Sequence, residues 1–594
     1  MDFIAMKLSR AVAAVILLIS STALAQSPST VLHRLFRKAF EQHLRDYPVS
    51  ATYFGRDEFN DRWTDLSPEA IERRKQSRRE LLAEARAIDR SALNSVEQLN
   101  YDLFLADLNQ RVLADQFPDE LLAVDPLFNG PIVRIPNAIA IMPAGAVKDY
   151  ENIIARLRNG AAYVEQTIAL LEEGKRMGIT QPAVILRDVP AQADKLASGD
   201  PSKSALLQAF RRFPSSISAG EQARLAKEAA AALDGALMPA FRKLKSYLEE
   251  DYIPACRQTI ARTALPGGKE WYAADIREHT TTALTARQIH DIGQAEVLRI
   301  RAEMDAILGR LDFTGGMPAF LKFLRGDPRF YFSDAAALLT AYRDICKRID
   351  PELPRLFGKL PRTPYGVIPV GDHLAPSETS ARYRPCSADG RRPGYFVANT
   401  WRLDMRPKYE MEALALHESV PGHHLQIALA MEMQDVPEFR KIMDVTAFTE
   451  GWGLYAESLG EELGFYKDPY SKFGQLSFEM WRACRLVVDT GMHALGWTRQ
   501  QAIDFMLAHT ASTGQNVVVE VDRYIAWPGQ ALAYKLGELK IKELRRYAEQ
   551  QLGPAFDVRA FHDHLLAEGP LPLDTLEVRM KRWAADVQKS RRNR

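Results

Sequence analysis

Apolar residues recur at three- and four-residue intervals over most of the chain, the period of one face of an α-helix. The stretches "TVLHRLFRKAFEQHLRD", "AAYVEQTIALLEEGKRMG", "AGEQARLAKEAAAALDGALMPAFRKLKSYLEEDYI" and "ARQIHDIGQAEVLRIRAEMDAILGRL" read this way, with mixed charge on the opposite face. Pro- and Gly-containing clusters such as "FPDELLAVDPLFNGP" and "KLPRTPYGVIPVGDHLAPSE" punctuate them. The pattern changes between residues 360 and 400, where "YGVIPV" and "GYFVANT" are β-branched or aromatic and bounded by turn residues. That predicts two short strands. They would form either a structural hairpin or an edge that binds an extended substrate by strand addition. From Lys408 the helical period returns, with breaks expected at "PGHH", "DTGMHALGW" and "WPGQ". The fold class expected is mainly α: a large multi-helix body with a small β-sheet near a histidine-rich helix.

Composition narrows this little. The 594 residues are 46% hydrophobic and 26% charged, ordinary values for a globular enzyme. Lys plus Arg (77) nearly cancel Asp plus Glu (76), so no electrostatic footprint for nucleic acid exists. At the N-terminus, "MKLSRAVAAVILLISSTALAQSPS" has a charged start, a short apolar run and small residues ending in Ala23-Leu24-Ala25. That is the layout of a signal peptide, with cleavage expected after Ala25 and a periplasmic or secreted destination. No Cys stands at the junction, and no later stretch is apolar enough to cross a membrane. Residues 26–594 are expected to form one helical body, its N-terminal half mostly scaffold and its site within 395–540. The four cysteines form no C-x-x-C pair; they leave room for one disulfide and do not form a metal cluster.

The candidate chemistry lies in "ALHESVPGHHLQ". A hydrolytic zinc takes three protein ligands and a water, with a nearby carboxylate to accept the water's proton. In H-E-x-x-H, one helical turn supplies two of those ligands and the carboxylate. Here His417-Glu418 opens such a motif, but the position four after His417 is Pro421. On a regular helix His424 would return to the face of His417, about 10.5 Å further along the axis. Pro421 and Gly422 make a regular helix improbable, and a turn there could swing His423 in instead. Geometry alone does not choose between the two. A third ligand is expected from "FTEGWGLYAESLGEELG", with Glu450 preferred over Glu457. Tyr534 and His493 are the leading donors for a developing oxyanion. Arg485, Arg523 and Tyr524 lie in the same stretches, and Asp489 could orient a histidine or cap a helix.

"ALHESVPGHHLQ", "TEGWGLYAE", "RLVVDTGMHALGW" and "PGQALAYKLGELKI" resemble the bacterial family called domain of unknown function 885, over nearly all of the mature chain. That family is grouped by resemblance with helical zinc peptidases of the gluzincin type, which carry H-E-x-G-H. Setting "HESVPGH" against that pattern implies a two-residue insertion that keeps the Gly-His end. The resemblance then makes His417, His423 and Glu450 the ligands of Zn2+ and Glu418 the general base. The expected function is an exported zinc peptidase whose deep central channel admits short peptides. The alternatives are a metal hydrolase of other amides or esters, and a metal-free peptide-binding protein.

Overall fold

The computed structural model describes residues 27–371, 375, 378–387, 390 and 392–592. The expected signal peptide, residues 1–25, and His373 lie outside the described residues. Helices form where the apolar period is strongest and where local chemistry starts and stops them. In the helix Pro28–Asp46, Ser27 caps the first turn by accepting the amide of Thr30, and Leu32, Leu35, Phe36, Phe40 and Leu44 form its buried stripe. Helix α1 (Val147–Met177) ends at Gly178, whose φ of 70° is the left-handed turn that closes such helices. Helices α2 (Ala286–Arg310) and α3 (Ala335–Ile349) complete the scaffold needed here.

The sheet follows: β1 (Tyr365–Pro369), β2 (Ala381–Arg384) and β3 (Gly394–Ala398), in the order β1-β3-β2. The two strands read from sequence pair in parallel, Tyr365 opposite Gly394, so they are not a hairpin. The strand between them in sequence, β2, runs antiparallel on the far side of β3. "ARYR" has no apolar run and gives no strand signal of its own. Phe396 is fully buried against Tyr342 of α3, which anchors the sheet to the helical body.

The C-terminal half holds α4 (Met411–Glu418), α5 (His423–Met431), α6 (Thr446–Ser458), α7 (Pro469–Ala494), α8 (Gly514–Ala526) and α9 (Ala533–Leu552). Two apolar cores hold the body together. One joins α1 and α2 to α7 and α8; the other lies beneath the sheet and gathers α3 to α6 with α9. Helix α7 runs on through Asp489 and Gly491 and ends at Ala494, so the break expected in "DTGMHALGW" falls at its end, where Gly496 takes a φ of 76°. Asp489 is therefore inside a helix and caps nothing; it accepts bonds from the Tyr272 hydroxyl (2.5 Å) and the Gly529 amide. All four cysteines are free and buried, which removes the disulfide the sequence left room for. Among the described residues no helix is long and apolar enough to cross a membrane.

Candidate metal centre

The helical pattern breaks between Glu418 and His423. The Ser419 amide bonds back to the carbonyl of Ala415 (2.9 Å) and its hydroxyl donates to the same oxygen (2.6 Å), which closes α4. The Val420–Pro421 peptide bond is cis. The indole of Trp452, on α6, donates to the Pro421 carbonyl at 2.7 Å and fastens the turn. Only glycine fits at 422, because a Cβ there would lie 1.9 Å from the His417 carbonyl oxygen. The turn delivers His423 to His417: their rings stand 4.6 Å apart and nearly perpendicular. From α6, Glu450 completes the group, its Oε2 lying 3.6 Å from His417 Nε2 and 3.4 Å from His423 Nε2. One donor atom from each of the three falls within 4.8 Å of the others.

His417 is held from behind. Its Nδ1 donates to Glu457 Oε1 at 2.8 Å, and the fully buried Glu457 is paired in turn with Arg482 at 3.2 Å. This fixes a proton on Nδ1 and leaves Nε2, which faces Glu450, as the atom that can ligate a metal, the arrangement of a carboxylate–histidine–metal triad. Gly453 makes room for the ring, since a Cβ at that position would lie 2.7 Å from His417 Cε1. Burial disfavours a charged His417, yet Glu450 and Glu457 outweigh it and raise the imidazole to about 10. Glu450 is buried too, but the neighbouring His423 and His417 hold it well below the usual carboxylate range. The pocket strongly favours positive charge.

The donors also fit a metal by spacing. Two ligands at about 2.0–2.1 Å on a tetrahedral ion stand about 3.3 Å apart. The observed 3.4 and 3.6 Å lie close to that and are longer than the 2.7–2.9 Å usual for a charged hydrogen bond. The Glu450 Oε2 and His423 Nδ1 atoms are buried without a hydrogen-bond partner among the described residues.

The remaining sequence candidates divide. His424 is committed elsewhere: Nδ1 meets the Tyr383 hydroxyl (3.0 Å) and Nε2 the Thr363 carbonyl (3.0 Å), and burial lowers it to about 4. Glu418, the last residue of α4, is 7% exposed and has no hydrogen bond or ion pair among the described residues. Tyr534, in the first turn of α9, sets its ring parallel to His417 at 6.5 Å. Its hydroxyl accepts from Arg523 (3.4 Å), and its own proton has no acceptor among the described residues. His493 requires a correction. It is fully buried, with Nδ1 accepting the Arg262 amide (3.0 Å) and Nε2 donating to the Tyr524 carbonyl (2.9 Å). Both nitrogens are used by the backbone, so it is a structural post and cannot donate to an oxyanion. Sequence reasoning missed Trp452, Arg482 and Tyr383. Of these only Arg482 left a trace, as the residue one turn before Arg485 on a strongly apolar helix.

Desolvation raises the carboxyls of Glu278 and Asp444, although both side chains are open to water. Asp444 also feels the charges of Glu450 and His423.

A family profile described as bacterial protein of unknown function (DUF885) matches residues 48–580. The chain belongs to this family. Among solved structures, this DUF885 chain is similar to a "putative lipoprotein" from Colwellia psychrerythraea, with a TM-score of 0.89 and 28% identity over 94% of this chain and 100% of that one. A second "putative lipoprotein", of unknown function, from Shewanella oneidensis shares the fold at a TM-score of 0.69 and 17% identity, again over 94% of this chain and 100% of that one. No curated protein matches the chain.

Proposed function

We propose that this DUF885 protein is a zinc-dependent peptidase. The observation that carries the reading is the convergence of His417, His423 and Glu450 beside a buried carboxylate, Glu418, that has no other partner. His417, His423 and Glu450 would hold the ion. Bound zinc would supply Lewis acidity and bring the pKa of water at the site toward neutrality. Glu418 takes a proton from the attacking water and passes it to the leaving nitrogen as the C–N bond breaks, so the hydroxyl ends on the acyl carbon. Tyr534 supplies the hydrogen bond to the developing oxyanion, its phenol polarised by the bond it accepts from Arg523. Glu457 keeps His417 in the ligating tautomer.

A peptide is favoured over other amides by the sheet. Strand β2 has β3 on one side, and no strand pairs with its other edge among the described residues. Tyr383 of β2 lies beside His423, their ring centroids 6.5 Å apart. An extended backbone paired to that edge would pass the metal ligands, which a short unfolded chain can do more readily than a folded protein. Export is part of the same reading: the N-terminal signal-like segment agrees with the lipoprotein descriptions of the structural neighbours.

The decisive experiment pairs metal analysis with hydrolysis of a short-peptide library. About one zinc per chain and peptide cleavage are expected. Glu418→Gln should keep the metal and lower the rate by about 10²-fold or more. Undiminished cleavage by that variant would remove Glu418 from the mechanism, and cleavage of esters or non-peptide amides alone would replace the substrate class.

A further inference from the structure

Tyr534 connects the metal centre to a second group of buried charges on α7 and α8. The Arg485 guanidinium lies 4.4 Å from the centre of the Tyr534 ring, and Arg523 donates to its hydroxyl. Both arginines bond the same oxygen of one carboxylate, Glu520 Oε2, at 3.2 and 3.4 Å. Their other partners are neutral: Tyr524 for Arg485, Gln530 for Arg523. Arg485 Nη1 is buried with no hydrogen-bond partner among the described residues, its side chain only 3% exposed.

Two cations therefore share one anion inside the protein. Neighbouring charges are not arranged this way. Lys535, Lys542 and Arg299 stand among Glu296, Glu479 and Glu538, a carboxylate for each. Arg482 has Glu457. Glu418 and Glu450 would balance a divalent ion. The arginine pair that contacts Tyr534 has a single carboxylate for its two charges. An uncompensated buried charge is costly unless an anion arrives to pair with it. Arg523 is the member that can meet such an anion, because its side chain retains 13% exposure.

Resting on the peptidase reading, we infer that the arginine pair Arg485–Arg523 receives the free C-terminal carboxylate of the substrate, so the site acts on short peptides near their carboxyl end. A planar carboxylate suits the forked donors of arginine, and Tyr534 lies between that anchor and the metal centre.

The test compares short peptides ending in a free carboxylate with the same sequences ending in an amide. Binding is measured by calorimetry on zinc-loaded Glu418→Gln, and kcat/KM on the wild type. The acid should bind at least about tenfold more tightly than the amide, as one charged hydrogen-bonded contact warrants. Arg523→Gln should erase that preference, raising KM for the acid more than it lowers kcat. Equal binding of acid and amide overturns the inference, whether or not peptides are cleaved. A clear preference for the acid without any cleavage supports the anion site and instead defeats the peptidase reading. The wild-type comparison decides the matter even if Arg523→Gln does not fold.

Discussion

At the residue scale, the choice between His423 and His424 shows how a site can be half legible in a sequence. "HESVPGHH" announces a metal-type cluster, but both histidines have the right chemistry and only the backbone decides between them. Pro421 withdraws an amide, Gly422 admits a turn that any Cβ would block, and Tyr383 and Thr363 take both nitrogens of His424. The last two lie far away in sequence, so no spacing rule could find them. Glu457 is similar: seven positions after Glu450, it reads as a competing ligand until the fold places it behind His417. A consequence is that Glu457→Gln should leave all three ligands in place yet weaken zinc binding by about 10- to 100-fold. Competition with a fluorescent chelator would measure this; unchanged affinity would show that the carboxylate does not tune His417.

At the element scale, long amphipathic helices were legible because period and burial agree, as in Pro28–Asp46. What failed were elements whose identity depends on neighbours. Strand β2 exists because β3 offers it an edge, and the break read in "DTGMHALGW" comes at Gly496 and not at Gly491 because apolar packing outweighs the weak helix preference of "DTG". The approach of α6 and α9 is another neighbour effect. Gly451 and Gly537 face each other so closely that a Cβ at 537 would lie 1.9 Å from the Ala447 carbonyl oxygen. Gly537→Ala should therefore destabilise the fold by about 1–3 kcal/mol or more, seen as a lower denaturant midpoint. A midpoint matching the wild type would mean that the two helices can separate without cost.

At the scale of the whole molecule, distant segments are tied by buried neutral histidines. His562 donates from Nδ1 to the Leu356 carbonyl (2.9 Å) and accepts the Tyr455 hydroxyl at Nε2 (2.8 Å). Burial lowers its pKa from 6.5 to about 4. The sign follows from the cycle. Above pH 6.5 the group is neutral in both states and its contribution is fully present; as pH falls toward about 4 the unfolded chain takes a proton that the folded chain refuses. Near pH 5, unfolding should thus absorb about one proton less in His562→Gln than in the wild type, read from the slope of unfolding free energy against pH. Equal slopes would show that His562 already titrates normally in the fold. None of this network was visible in the sequence, where the histidine sits among ordinary charged residues.

Helix α6 has a consequence for how the site must work. It carries Glu450 itself, steadies His417 through Glu457, and pins the His423 turn through Trp452. Through Gly451 it also touches α9, which bears Tyr534. The geometry of the His417–His423–Glu450 cluster is thus referenced to a single rod, and its three residues move together. In the proposed peptidase, any opening that admits substrate or releases product would come from parts that hold no ligand, such as the sheet or the arginine-bearing α8. Entry and chemistry would be mechanically uncoupled, with a stationary reaction centre and moving walls.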